Sequence, residues 1–82
     1  MNLGTMFGRD GLGGLLNLPD FAIYANGQVA LKNLSGAEFI WSSGVGIENK
    51  STIKLQPGSA AVLAGDGAQW RIISTHGTVT LE

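Results

Sequence analysis

From Asp20 to the C-terminus the chain keeps a two-residue apolar–polar rhythm in short runs, each closed by turn-forming residues, and this pattern admits strands and little else. Phe21-Ala22-Ile23-Tyr24-Ala25 and Gln28-Val29-Ala30-Leu31-Lys32 flank Asn26-Gly27, a pair that tolerates positive φ at both positions and so predicts a hairpin. Further runs cover 38–41, 45–48, 52–55, 60–64, 69–74 and 78–82. Between them lie Ser35-Gly36, Ser42-Ser43-Gly44, Gln56-Pro57-Gly58-Ser59, Gly65-Asp66-Gly67 and His76-Gly77, all with turn chemistry. The expected fold is all-β: a small antiparallel sandwich or jelly-roll-like barrel of about eight short strands. Alternation assigns its inner face to Phe21, Ile23, Val29, Leu31, Phe39, Trp41, Ile47, Ile53, Leu55, Val62, Trp70, Ile72, Val79 and Leu81. A loose echo at an offset of sixteen, Leu31-Lys32-Asn33-Leu34-Ser35 over Ile47-Glu48-Asn49-Lys50-Ser51, is too short to define a repeat architecture.

The rhythm is different ahead of Pro19. Gly4, Gly8, Gly11, Gly13 and Gly14 alternate with Leu3, Met6, Phe7, Leu12, Leu15 and Leu16. The apolar spacing is helical, yet each interior glycine costs about 1 kcal/mol against alanine, which leaves room for at most one turn near 12–17. Flexible glycine linkers are polar, whereas this tract carries large apolar side chains that need a partner. Two regions are therefore expected: an N-terminal docking arm over 1–19, with the six apolar side chains as its contacts, and a β-domain over 20–82. On this reading the domain stays folded when the arm is removed.

Charge is sparse, with five basic and six acidic residues for a net −1, so no basic field exists to hold phosphates and nucleic acid is not an expected partner. The absence of cysteine removes disulfides, thiolate nucleophiles and cysteine metal sites together. No apolar run reaches the ~18 residues of a membrane helix. Arg9 and Asp10 interrupt the place of a signal-peptide core, so neither a membrane nor Sec export is expected. A β-region of some sixty residues lies below the ~70–80 at which one core is comfortably self-sufficient, and 44% hydrophobic against 13% charged residues leaves little polar surface. Self-association is expected.

No catalytic set emerges. His76 stands alone beside Gly77 without a nucleophile or acid partner at a recognisable spacing. Asp10, Asp20, Glu38, Glu48, Asp66 and Glu82 are dispersed, unlike a calcium loop. Gly11-Leu12-Gly13-Gly14 matches no phosphate-binding loop. Trp41 and Trp70 fall on the inner phase, which favours core volume, with the indole N–H finding a local acceptor, over a ligand-stacking platform. Arg71, on the opposite phase, reads as a solvated or interface side chain. Asn33-Leu34-Ser35 and Asn49-Lys50-Ser51 match the glycan-acceptor triplet, with no other sign of a secretory protein. No enzyme, cofactor or metal is expected.

The stretch from Ile47 through the Pro57-Gly58 turn, the strand at 60–64, the Asp66-Gly67 turn and Trp70 to Ser74 resembles a module recurrent in virion proteins of tailed bacteriophages, commonest in tail fibres and related appendages. In it Asp66, Gly67 and Trp70 form a structural motif. The resemblance implies a homotrimeric β-structure in a virion, made in the bacterial host cytoplasm. It implies capsid or tail proteins as partners and a decorating or cementing role docked by the arm. The alternative is a tail-fibre or tail-tip component that binds a host surface glycan.

Overall fold

The computed structural model describes residues 2–9 and 14–82; Leu12 and the side chains of Phe21 and Ala22 lie outside that description. The fold is all-β, with eight strands in one mixed sheet: β1 (Asn2–Gly8), β2 (Gly14–Asn17), β3 (Gln28–Asn33), β4 (Phe39–Ile47), β5 (Lys50–Leu55), β6 (Ala60–Gly65), β7 (Trp70–His76) and β8 (Val79–Leu81). Their order is β1-β3-β6-β7-β4-β5-β8, with β2 also on β4. The only β7–β4 pair is Ile47 with Trp70, so the sheet divides into two four-stranded halves, β1-β3-β6-β7 and β2-β4-β5-β8, which meet at that point. Inward side chains of both halves form one cluster, as in a sandwich.

Most of the expected inner face is buried. Ile23, Leu31, Trp41, Ile47, Ile53, Leu55 and Trp70 are wholly enclosed, Val29 and Phe39 nearly so, and Ile72, Val79 and Leu81 pack at the margin. The phase of β6 is the exception: Ala61 and Leu63 point inward and Val62 does not. The run Ala-Ala-Val-Leu-Ala carries no alternation, so its cross-strand partners decide. Leu31 lies opposite Ala61 and Val29 opposite Leu63, and residues facing one another across a ladder share a face. A register shift against β6 then leaves Ile73 in solvent.

Three expected elements differ. Residues 20–25 form a 3-10 turn, Asp20–Ala25, instead of the first strand of a hairpin. A strand has two edges, and those of β3 are taken by β6 and, in parallel, by β1. The arm thus occupies the edge that the hairpin partner needed, although Asn26 keeps its positive φ of 54°. The runs 38–41 and 45–48 are one strand, β4, with the register slipping between Ser42 and Ile47. The turn that ends β4 is Glu48-Asn49, both at positive φ. The arm itself is extended: residues 14–17 form β2, not a helical turn.

The arm also contributes to the core. Leu18 is buried there, and Leu3 and Met6 pack against it. Phe39, tilted at 41° onto Trp41 with ring centroids 4.8 Å apart, has the arm against its ring. A Cβ at Gly8 would lie 2.6 Å from that ring and one at Gly14 3.0 Å, so both glycines are required by close approach.

Candidate functional site

The polar centre of the fold is Asn33, which is wholly buried. Its Nδ2 donates to the carbonyls of Ala37 and Leu55, each at 2.8 Å, and its Oδ1 accepts from the Ser35 amide at 2.8 Å and the Ser35 hydroxyl at 2.7 Å. Its own backbone joins Ser59 and Gly58. One residue thereby ties the 34–38 turn to β5 through its side chain and to the Pro57-Gly58 turn through its backbone. Sequence reasoning noted this residue only in the echo of sixteen and in a glycan-acceptor triplet that nothing else supported. The structure contradicts that use, because the nitrogen that would carry the sugar is enclosed and spent on two carbonyls. Asn33 and Asn49, matched by the echo of sixteen, are not equivalent: Asn49 is an exposed turn residue.

The Asp66, Gly67, Trp70 motif is structural. Asp66 Oδ1 accepts from the amides of Ala68 and Gln69, both at 2.8 Å, while Gly67 adopts φ of 92° and donates to the Ile23 carbonyl at 3.1 Å. Trp70 lies beneath, fully buried. The expected acceptors for the indoles are absent: neither Trp41 Nε1 nor Trp70 Nε1 has a hydrogen-bond partner among the described residues. Burial of both also takes them away from any stacking role on the surface.

Arg71 is neither simply solvated nor free. Its Nε donates to Asp66 Oδ2 at 2.7 Å and its Nη1 to Glu48 Oε2 at 3.3 Å, while Glu48 Oε1 accepts the Ile72 amide at 3.1 Å. Gln69 is bonded twice to Asn49, through Asn49 N–H at 2.6 Å and Asn49 Oδ1 at 3.0 Å. The β6–β7 turn and the β4–β5 turn are therefore clamped together near the single β7–β4 pair. The Gln69 amide, the Arg71 guanidinium beside it and the Ala68 amide hold the Asp66 carboxyl down at about 2, below its ordinary 3.8. A depressed carboxylate contributes stability above its unfolded value and loses it as pH falls through the folded one. Asp66→Asn is expected to lower the melting temperature above pH 4, with the difference from the parent chain closing as pH approaches 2. A constant gap across that range would show that the charge is not involved.

The arm splits into two sets. Leu3 and Met6 face the protein's own core, against the expectation that all six apolar side chains point to a foreign surface. Phe7 and Leu15 face outward, with 41% and 62% of their surfaces exposed, while Leu16, opposite the buried Trp41, is on the inner phase of the edge strand and keeps 38% exposed. The Arg9 guanidinium lies 4.8 Å from the Phe7 ring centroid. A shallow cleft of about 360 Å³ lies at the other end of β4, lined by Ser43, Gly44, Gly46, Asn49, Lys50 and Gln69 among others. His76 is exposed at the end of β7. Among the described residues no three His, Asp or Glu side chains gather as metal ligands, and no helix is long and apolar enough to cross a membrane.

Comparison with protein-family models, with curated proteins and with solved structures returns no match to this chain.

Proposed function

We propose that this protein is a non-enzymatic structural module of a tailed-bacteriophage virion, decorating or cementing the particle as a homotrimer and docking through the outer face of its arm. The observation that carries the reading is that two edge strands of the arm, paired to the body, leave Phe7, Leu15 and Leu16 exposed. Apolar side chains exposed on strands already paired to the body lose little further backbone entropy on docking, and their transfer from water is worth ~25 cal/mol per Å2. The resemblance of residues 47–74 to virion modules supplies the class of partner, capsid or tail proteins, and a location in the virion.

The test adds purified protein to particles assembled without it. The parent chain is expected to co-sediment with them, and a Phe7→Ser, Leu15→Ser, Leu16→Ser variant with an unchanged melting curve is expected to stay in the supernatant. The alternative, a tail-fibre or tail-tip component binding a host glycan, is supported by the polar cleft beside Asn49, Lys50 and Gln69. Adsorption to host cells, lost on Asn49→Ala and Lys50→Ala and indifferent to the arm variant, would replace the cementing reading with that one.

A further inference from the structure

The connection between arm and body is unusually slight for an element that completes both halves of the sheet. β1 and β2 are edge strands paired in parallel, so neither is tied to its partner by a hairpin. Leu18 still belongs to the arm, its N–H donating to the Ser42 carbonyl at 2.8 Å, and Asp20 already belongs to the body, its Oδ1 accepting the Ser43 hydroxyl at 3.1 Å. Only Pro19 stands between. It has no N–H to bond, and its ring holds φ near −65°, so it suits an extended crossing as well as a closed one.

What the arm fits is this chain and no generic surface. Gly8 and Gly14 both lie close against the Phe39 ring, Asn17 Oδ1 accepts the Ser42 hydroxyl at 2.6 Å, and Leu18 is buried in the core. A second copy offers the same ring, the same ladder and the same pocket. The first turn of β1 is also loosely held: the register with β3 slips between Asn2 and Thr5, Gly4 takes φ of 75°, and a cavity of about 230 Å³ opens between the strands there.

We propose that the arm is exchanged between copies, β1 and β2 of one chain completing the sheets of a second. Every contact of the closed chain is kept in the exchanged one, so the balance is set by what is new. What is new is the crossing at Pro19 and the contact between the two bodies that it joins. This inference does not rest on the virion reading, since it concerns only how copies of this chain join.

The chain has no cysteine, so engineered bridges report without background. Phe7 is the register partner of Lys32 and Leu15 that of Ile40. Neighbouring strands lie ~4.7–4.9 Å apart, within the ~4.4–6.8 Å window of Cα separations for a disulfide. The double variant F7C/K32C is refolded, oxidised at low concentration and run on a denaturing gel without reductant. Exchange predicts that most chains migrate as covalent dimers or trimers, while F7C alone and K32C alone give far less. An internal bridge in a monomer overturns the proposal, as do single-cysteine controls that multimerise equally. L15C/I40C repeats the test on the other sheet should the first pair disturb folding. Native mass spectrometry of the unmodified chain serves both: a monomer alone overturns arm exchange whatever the bridges do, and leaves the virion assay to be judged separately.

Discussion

Removal of residues 1–18 is expected to destabilise the β-domain severely, with a melting transition lowered by tens of degrees or no cooperative transition at all. Leu18 is buried in the core, and losing a buried leucine alone costs roughly 2–5 kcal/mol. For a domain of this size each kcal/mol moves the midpoint by roughly 4–8 °C. The truncation also strips the cover that Gly8 and Gly14 place over Phe39, the packing of Leu3 and Met6, and one edge each of β3 and β4. Circular dichroism of the 19–82 fragment checks this. A transition within a few degrees of the full chain would restore the view of the arm as a separate docking element.

Trp70→Ala is expected to cost about 3–5 kcal/mol, the range for deleting a large enclosed aromatic side chain. Trp70 is wholly buried at the one point where the halves of the sheet meet, opposite Ile47 and behind the Asp66-Gly67 turn. Its carbonyl also takes the Glu48 amide at 3.0 Å, so a collapse of the ring's space reaches the turn clamp. Trp70→Phe is the informative companion: it keeps much of the volume and removes an indole N–H that has no partner among the described residues, whose burial costs roughly 1–3 kcal/mol. The phenylalanine variant should therefore lie much closer to the parent than the alanine variant. A Trp70→Ala protein with unchanged melting would show that the ring does not hold the two halves of the sheet together.

Local information accounts for much of the fold and little of the candidate site. Alternation placed Val29, Leu31, Trp41, Ile53 and Leu55 on the inside because a half-buried strand shows its phase whenever polar residues separate apolar ones. It failed at Val62, where five small or apolar residues in succession show no phase. It failed at residues 21–25, where alternation was present but the edge beside β3 went to a strand twenty residues earlier in the chain. The Asp66-Gly67 turn was legible because its bonds are local. The Glu48 to Arg71 to Asp66 clamp was not, since it joins two turns through side chains distant in sequence.

By itself, then, the order of residues determined an all-β class, the turns that need glycine, asparagine or aspartate, and most of the buried face, because period and turn chemistry act over a few residues. Tertiary structure alone decided which strands share an edge, the inward phase of β6, the burial of Asn33 as a four-bond hub and the use of the arm as β1 and β2. Those outcomes depend on competition among distant segments for a limited number of sheet edges and a single core, and no local pattern carries the result of that competition.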